Sequence, residues 1–181
     1  MMKKIILLAL STMMSATLFA ANPVGNATTP SESTSEVEAL FSVTGQQVVE
    51  TAQHYLGRPY HRGSKGPSSF DCSGFTSYIY KSLNIKLNNC SRSQYNEGLS
   101  VDRDNLQVGD LVFFAGRNSR GGIGHVGIVS KVNEDGSFNF IHASCSNGVT
   151  ISNINETYYS NRYKGARRIL EDCSDVLAYN K

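Results

Sequence analysis

Phe70-Asp71-Cys72-Ser73-Gly74-Phe75 opens a segment in which Phe75, Ile79 and Leu83 recur at helical spacing, with Tyr78 widening the face. The pattern predicts a helix with Cys72 at or near its first turn. A thiol there meets unpaired backbone N–H groups and the positive end of the helix dipole. Both favour the thiolate, the nucleophilic form of cysteine. A free cysteine also serves as a small core residue. The hexapeptide does not choose between a nucleophile and a core thiol, so the choice falls to the rest of the chain.

Upstream, Thr44 is placed to cap a helix over about 45–56. Val48, Ala52, Tyr55 and Leu56 form one apolar face, and Gly57 is placed to end it. Arg58-Pro59-Tyr60 and a loop with Gly63, Gly66 and Pro67 lead into Asp71. Downstream, Asn88-Asn89 interrupts the helical pattern, and Ser91 is placed to cap a third, short helix through Tyr95. Then the chain changes character. Leu111-Val112-Phe113-Phe114 reads as a buried strand, a glycine-rich loop follows at 121–124, and His125-Val126-Gly127-Ile128-Val129 is a second strand. Asp135-Gly136 signals a hairpin, and strands at 138–142, 149–151 and 163–170 complete the set. Helices first and strands second give an α+β fold: an N-terminal helical lobe packed on a mostly antiparallel sheet.

Length and charge narrow the function classes. The 181 residues suit one domain of ordinary size, and 40% apolar with 18% charged residues suits a globular one. Lys3 and Lys4, followed by an apolar run that thins out towards Ala20-Ala21, read as a secretory signal over 1–21. A retained membrane anchor competes with that reading. The apolar part is short and broken by Ser and Thr, so no stable membrane insertion is expected after cleavage. Residues 22–40, rich in Ser, Thr, Asn, Pro and Gly, read as a flexible leader, 41–171 as the folded domain and 172–181 as a loose tail. Lys3 and Lys4 account for two of the 17 basic residues, leaving 15 against 15 acids. That balance calls for neither a nucleic acid nor an anionic membrane as partner. An exported location is expected.

Of the four histidines, His125 opens one strand of the predicted hairpin and His142 lies near the end of the returning one. Antiparallel pairing sets a strand's start beside its partner's end, so these two should be neighbours. If the Cys72 helix packs its N-terminus against that edge, a Cys–His–His set results. The chemistry suits the residue types. An imidazole takes the thiol proton, and a third polar group on the other ring nitrogen fixes tautomer and orientation. Backbone N–H groups at the helix start can meet an oxyanion, with Tyr60 as a second donor. Cysteine with two histidines also suits zinc, but the spacings match no compact ligand motif, so neither metal nor cofactor is expected.

Asp71-Cys72-Ser73-Gly74-Phe75, Gly109-Asp110-Leu111-Val112-Phe113-Phe114, Gly124-His125-Val126-Gly127-Ile128 and Phe140-Ile141-His142-Ala143 occur in this order. Together they resemble the four motifs of the NlpC/p60 family of bacterial cell-wall cysteine peptidases, across about 48–170. The resemblance implies a papain-like α+β fold reduced to its core and hydrolysis of peptide bonds in peptidoglycan. By position it makes Cys72 the nucleophile, His125 the base and His142 the third polar residue. Tyr60 matches a family tyrosine beside the thiol, and Asp71 and Ser73 match positions that face the substrate. Where the family often has Leu-Pro-Arg-Thr-Ser-x-x-Gln, this chain has Leu87-Asn88-Asn89-Cys90-Ser91-Arg92-Ser93-Gln94. Asn89 thus replaces an arginine, and Arg92 is the nearest substitute. Family members without a separate wall-binding domain resemble exported murein endopeptidases that cut the D-alanyl–diaminopimelate cross-link. The alternatives are a γ-D-glutamyl–diamino acid endopeptidase and a non-catalytic peptidoglycan-binding module.

Exported thiols can oxidise. With Cys72 free, Cys90, Cys145 and Cys173 leave three options: a Cys90–Cys145 bridge, a Cys145–Cys173 bridge, or no bridge.

Overall fold

The computed structural model describes residues 43–116 and 121–170; the signal-like segment, the leader, and the tail with Cys173 lie outside the described residues. Thr44 opens the fold with a capping box. Its Oγ1 accepts from the Gln47 N–H at 3.2 Å, and Gln47 Oε1 accepts from the Thr44 N–H at 2.8 Å. The helix so started, α1 (Gly45–Gln53), ends earlier than periodicity suggests. Leu56 falls in the following turn and is 45% exposed, while Val49 joins Val48 and Ala52 in the core. The second helix, α2 (Cys72–Ser82), begins at the cysteine itself, with Asp71 as its cap. The third, α3 (Ser91–Gln94), is a single turn in which Cys90 takes the cap position and Ser91 is the first, buried, helical residue.

The sheet has six strands: β1 (Leu99–Val101), β2 (Leu111–Ala115), β3 (Ile123–Val132), β4 (Phe138–Ser144), β5 (Gly148–Asn153) and β6 (Tyr163–Arg168). Their order is β1-β6-β2-β3-β4-β5, and every neighbouring pair is antiparallel. The α+β expectation therefore holds. Strand β1, the 3₁₀ turn at Arg103–Asn105 and the one-turn helix α4 (Thr157–Ser160) are too short to leave a periodic signal.

Strand alternation gives the sheet two apolar faces. Val126, Ile128, Ile141 and Ala143 join Val48, Phe75 and Ile79 in a core between sheet and helices. Val129, Phe138 and Phe140 join Phe114, Ile154 and Tyr159 in a second core on the opposite face. Arg168 Nε meets buried Asp110 Oδ1 at 2.9 Å, clipping β6 to the chain entering β2. The buried Tyr80 hydroxyl donates to the adjacent Gly109 carbonyl, which ties α2 to the same corner. The Tyr80 contact thus anchors the last turn of α2 beside the chain entering β2.

Candidate active site

The thiol is held by a short-range construction. The Phe70 N–H donates to the Pro59 carbonyl at 3.1 Å and the His61 N–H to the Phe70 carbonyl at 3.0 Å, so Tyr60 lies beside the segment that ends in Cys72. Asp71 Oδ1 accepts from the Gly74 N–H at 2.6 Å, and its Oδ2 accepts from the Gly63 N–H at 2.9 Å. The Asp71 N–H donates to the Ser64 carbonyl at 2.8 Å. A Cβ at position 74 would run into that same carbonyl oxygen, so only glycine lets the loop close over the first helical turn.

Cys72 is partly buried against the helix-side core. Its sulfur accepts from the backbone N–H groups of Ser73 and Val126, which lower its pKa as expected at a helix start. Burial raises it more, and the Asp71 carboxylate adds to the rise, so the thiol is pushed up to about 11. Burial therefore works against the thiolate bias expected at the helix start. Ser73, expected at the substrate face, is buried, and its hydroxyl turns to the Asn89 carbonyl at 3.0 Å and to Asp71 Oδ1 at 3.3 Å. Asp71 likewise spends its carboxylate on the loop and the helix cap.

The imidazoles are held by sheet register. Phe114 pairs with His125, and the pairing of Ile128 with Ile141 brings His142 opposite Gly127. A Cβ on Gly127 would lie 2.7 Å from the Phe140 ring and 3.1 Å from His142 Cβ, so this glycine leaves room for the pair. His125 Nε2 and His142 Nδ1 are 2.9 Å apart, with the rings at 87°. Phe140 lies 4.9 Å from the His142 ring, centroid to centroid, and Tyr159 5.4 Å. His142 is fully buried. Burial lowers His125 to about 4; burial and then the neighbouring His125 lower His142 to about 3.

Structure thus brings His125 and His142 together as the hairpin argument expects. Among the described residues no hydrogen bond joins the thiol to His125. The two halves meet through the backbone, because the sulfur sits on the N–H of Val126, the residue next to His125. His54 and His61 are exposed, and His54 Nδ1 lies 2.8 Å from the Glu50 carbonyl oxygen.

Tyr159 is the residue that sequence reasoning missed. Its hydroxyl lies 3.3 Å from His142 Nε2, which makes a chain Tyr159–His142–His125. If the phenol oxygen accepts from His142 Nε2–H, then His142 Nδ1 accepts from His125 Nε2–H. His125 Nδ1 is then left bare for the thiol proton. The only signal in the sequence was a tyrosine pair in the short segment before the last strand.

Tyr60 hydrogen-bonds to the Cys145 thiol; burial is the largest cause raising its hydroxyl pKa, and that contact adds to it. Cys72, Cys90 and Cys145 are all free, so the Cys90–Cys145 bridge is not formed, and the Cys173 option lies outside the described residues. Arg92, the candidate substitute for the missing arginine, donates from Nε to the Ile123 carbonyl at 3.2 Å, two residues before His125. Among the described residues no three His, Cys, Asp or Glu side chains converge as a metal site, and no helix is long and apolar enough to cross a membrane.

Residues 57–168 match the NlpC/P60 family. The chain is 38% identical over 124 residues to a gamma-D-glutamyl-L-lysine dipeptidyl-peptidase of Bacillus cereus, covering 68% of this chain and 36% of that protein. It is 37% identical over 126 residues to the murein DD-endopeptidase MepS/murein LD-carboxypeptidase of Escherichia coli, covering 68% of this chain and 62% of that one. Both relatives therefore have more than a third of their length beyond the match. A crystal structure of a Bacillus cereus NlpC/P60 family protein superposes with a TM-score of 0.65 at 35% identity, covering 72% of this chain and 41% of that one.

Proposed function

This chain belongs to the NlpC/P60 family, and we propose that it is an exported cysteine peptidase that hydrolyses peptide bonds in peptidoglycan stem peptides or their cross-links. One observation carries the reading: His125 Nε2 stands 2.9 Å from His142 Nδ1, while the Cys72 sulfur rests on the neighbouring Val126 N–H. Cys72 is the nucleophile, His125 the base, His142 its orienting partner and Tyr159 the residue that positions His142. Residues 1–21 serve as the cleaved signal, 22–40 as the leader, 41–171 as the peptidase domain and 172–181 as the tail.

The low imidazole and high thiol pKa values define the resting state. Burial disfavours both the thiolate and the imidazolium, so in this reading the proton leaves sulfur as the attack proceeds rather than before it. The Cys72 sulfur bonds to the scissile carbonyl carbon while its proton passes to His125 Nδ1. Backbone N–H groups at the start of α2 and the Tyr60 hydroxyl meet the oxyanion. Collapse breaks the C–N bond, and His125 returns the proton to the departing amine. Water then attacks the thioester, gives a proton to His125, and the C–S bond breaks to restore the thiol. The nucleophile, the base and the oxyanion donors of this cycle are all groups of the chain itself.

Among the bonds of the wall, the D-alanyl–diaminopimelate cross-link is favoured. The support is the likeness to the murein DD-endopeptidase relative, 37% identical over 126 residues. The test is mass spectrometry of muropeptides after digestion by the wild type and by Cys72→Ser. Cross-linked dimers should disappear with the wild type and persist with the variant. Loss of the γ-D-glutamyl bond instead would move the assignment to that activity. Identical product patterns from the two proteins would leave only a peptidoglycan-binding module.

A further inference from the structure

Over 51–96 the chain carries six basic residues, Arg58, Arg62, Lys65, Lys81, Lys86 and Arg92, against one acid, Asp71. The Asp71 carboxylate is already committed to the loop and the cap of α2. Three of these cations, Lys65, Lys81 and Lys86, converge on a cavity of about 540 Å³ along the flank of α2. They come from three segments: the loop before α2, its last turn and the connection that follows it. Lys81 has a local reason for its place, since a cation suits a helix C-terminus. Lys65 and Lys86 have none. All three are exposed, and among the described residues none is in an ion pair.

The rest of the cavity is not merely solvent-facing. Tyr78, Ile85 and Leu87 give it an apolar floor, and Leu87 is buried. Its inner wall holds Ser77, whose hydroxyl donates to Asn89 Oδ1 at 2.9 Å. The Asn89 carbonyl in turn accepts from Ser73, the residue after the candidate nucleophile. Ser73, Ser77 and Lys81 lie four apart, so they form one stripe along α2. Lys81 is nine residues beyond Cys72, about 13 Å along the helix at its usual rise. An extended peptide of four residues spans roughly that distance. Unpaired cations above an apolar floor suit a ligand that joins a carboxylate to an aliphatic stem.

We propose that this cavity is an anion subsite that takes a free carboxylate of the peptidoglycan peptide whose scissile bond lies at Cys72. The proposal rests on the peptidase reading for its substrate, and its test is separable from that reading. Calorimetry measures binding of a purified muropeptide to full-length Cys72→Ser protein, with the carboxylates free and with them amidated. The same pair of ligands is measured after adding Lys81→Gln and Lys86→Gln. Amidation should weaken binding about threefold to tenfold in the parent, the scale of two exposed charge contacts, and have little effect in the lysine variant. Lys81→Arg with Lys86→Arg should restore the sensitivity. Unfolding curves that match the parent's verify that the variants fold.

An equal amidation effect in both backgrounds overturns the proposal, because the lysines and carboxylates are then uncoupled. So does a poly(glycerol phosphate) chain that needs the lysines while the muropeptide ignores them. Cleavage by protein with Cys72 intact is a separate arm. Lysine-dependent binding without hydrolysis keeps the subsite and removes the enzyme reading. Hydrolysis with no lysine dependence removes the subsite alone.

Discussion

The two halves of the candidate site are held by opposite means. The thiol is fixed locally. Asp71 reaches Gly63, Ser73 and Gly74, partners two to eight residues away, and Gly74 admits the Ser64 carbonyl against the helix start. The imidazoles are fixed at long range. His125 and His142 are 17 residues apart and are packed by Phe140, two residues from His142 on the same strand, and by Phe114 and Tyr159 from two further places in the chain. Caps and close approaches define where an atom sits. Burial against aromatic rings defines which protonation state is stable there. The first half therefore supplies position and the second supplies a proton acceptor held neutral.

The largest effect expected from breaking this arrangement is on the imidazole side. His125→Ala should lower kcat about 10³-fold, the usual range for loss of a general base, with folding retained. The fully buried His142 and the half-buried His125, both lowered by burial, also predict an acid-sensitive fold. In the unfolded chain a histidine takes its proton near 6.5. In the folded protein His125 does so only near about 4 and His142 near about 3. Below about 6.5 the unfolded state thus binds more protons, so stability is full above that pH and is lost as pH falls through the folded values. Urea midpoints measured from neutral to acidic pH should fall, and His142→Gln should make the fall shallower. A variant whose midpoint tracks the wild type at every pH would show that His142 is not the buried neutral imidazole described here.

This difference also explains what could be read from the sequence. The helix start at Cys72 was legible from apolar spacing, as was the pairing of His125 with His142 from the Asp135-Gly136 hairpin, but Asp71, expected at the substrate face, proves to be the helix cap. The thiol's protonation state was not legible. It depends on burial by residues from several elements, and the local N–H donors that sequence does reveal turn out to be the weaker influence. Ser73 shows the same limit, because its neighbour in sequence is the nucleophile but its hydroxyl faces Asn89, 16 residues away. Tyr159 sits on a four-residue helix that leaves no period to detect, and only the folded sheet brings it to His142. The early end of α1 at Gln53 is similar, since nothing local marks Leu56 as exposed.

A smaller effect sharpens the imidazole half. Tyr159→Phe keeps the ring and removes the hydroxyl 3.3 Å from His142 Nε2. Loss of one neutral hydrogen bond predicts about a fivefold fall in kcat with KM unchanged. Nitrogen-15 chemical shifts give a readout that packing alone does not move. In the wild type His125 should carry its proton on Nε2 and His142 on Nε2. The variant should show a mixture of tautomers at His142. An unchanged tautomer spectrum would reduce Tyr159 to a packing residue.

The smallest effect tests whether the halves are electrically separate. Asp71→Asn keeps an oxygen for the Gly74 N–H, and asparagine is as good an N-cap as aspartate. It removes the carboxylate charge that raises the Cys72 pKa, so the thiol should titrate lower. The fall should be partial, because burial is the larger cause and is unchanged. The amide also turns an N–H₂ towards the Gly63 N–H that the carboxylate accepted, which should cost about 1 kcal/mol of stability. Alkylation rates of Cys72 followed against pH, resolved by peptide mass spectrometry, read the thiol. Histidine proton shifts read the other half. His125 is lowered by burial, and His142 by burial and His125, with no carboxylate among the causes. The thiol titration should therefore move while both imidazole titrations stay in place. If all three moved together, the Val126 junction would be an electrostatic link rather than only a geometric one, and the division between a positioned thiol and an independently buried base would be lost.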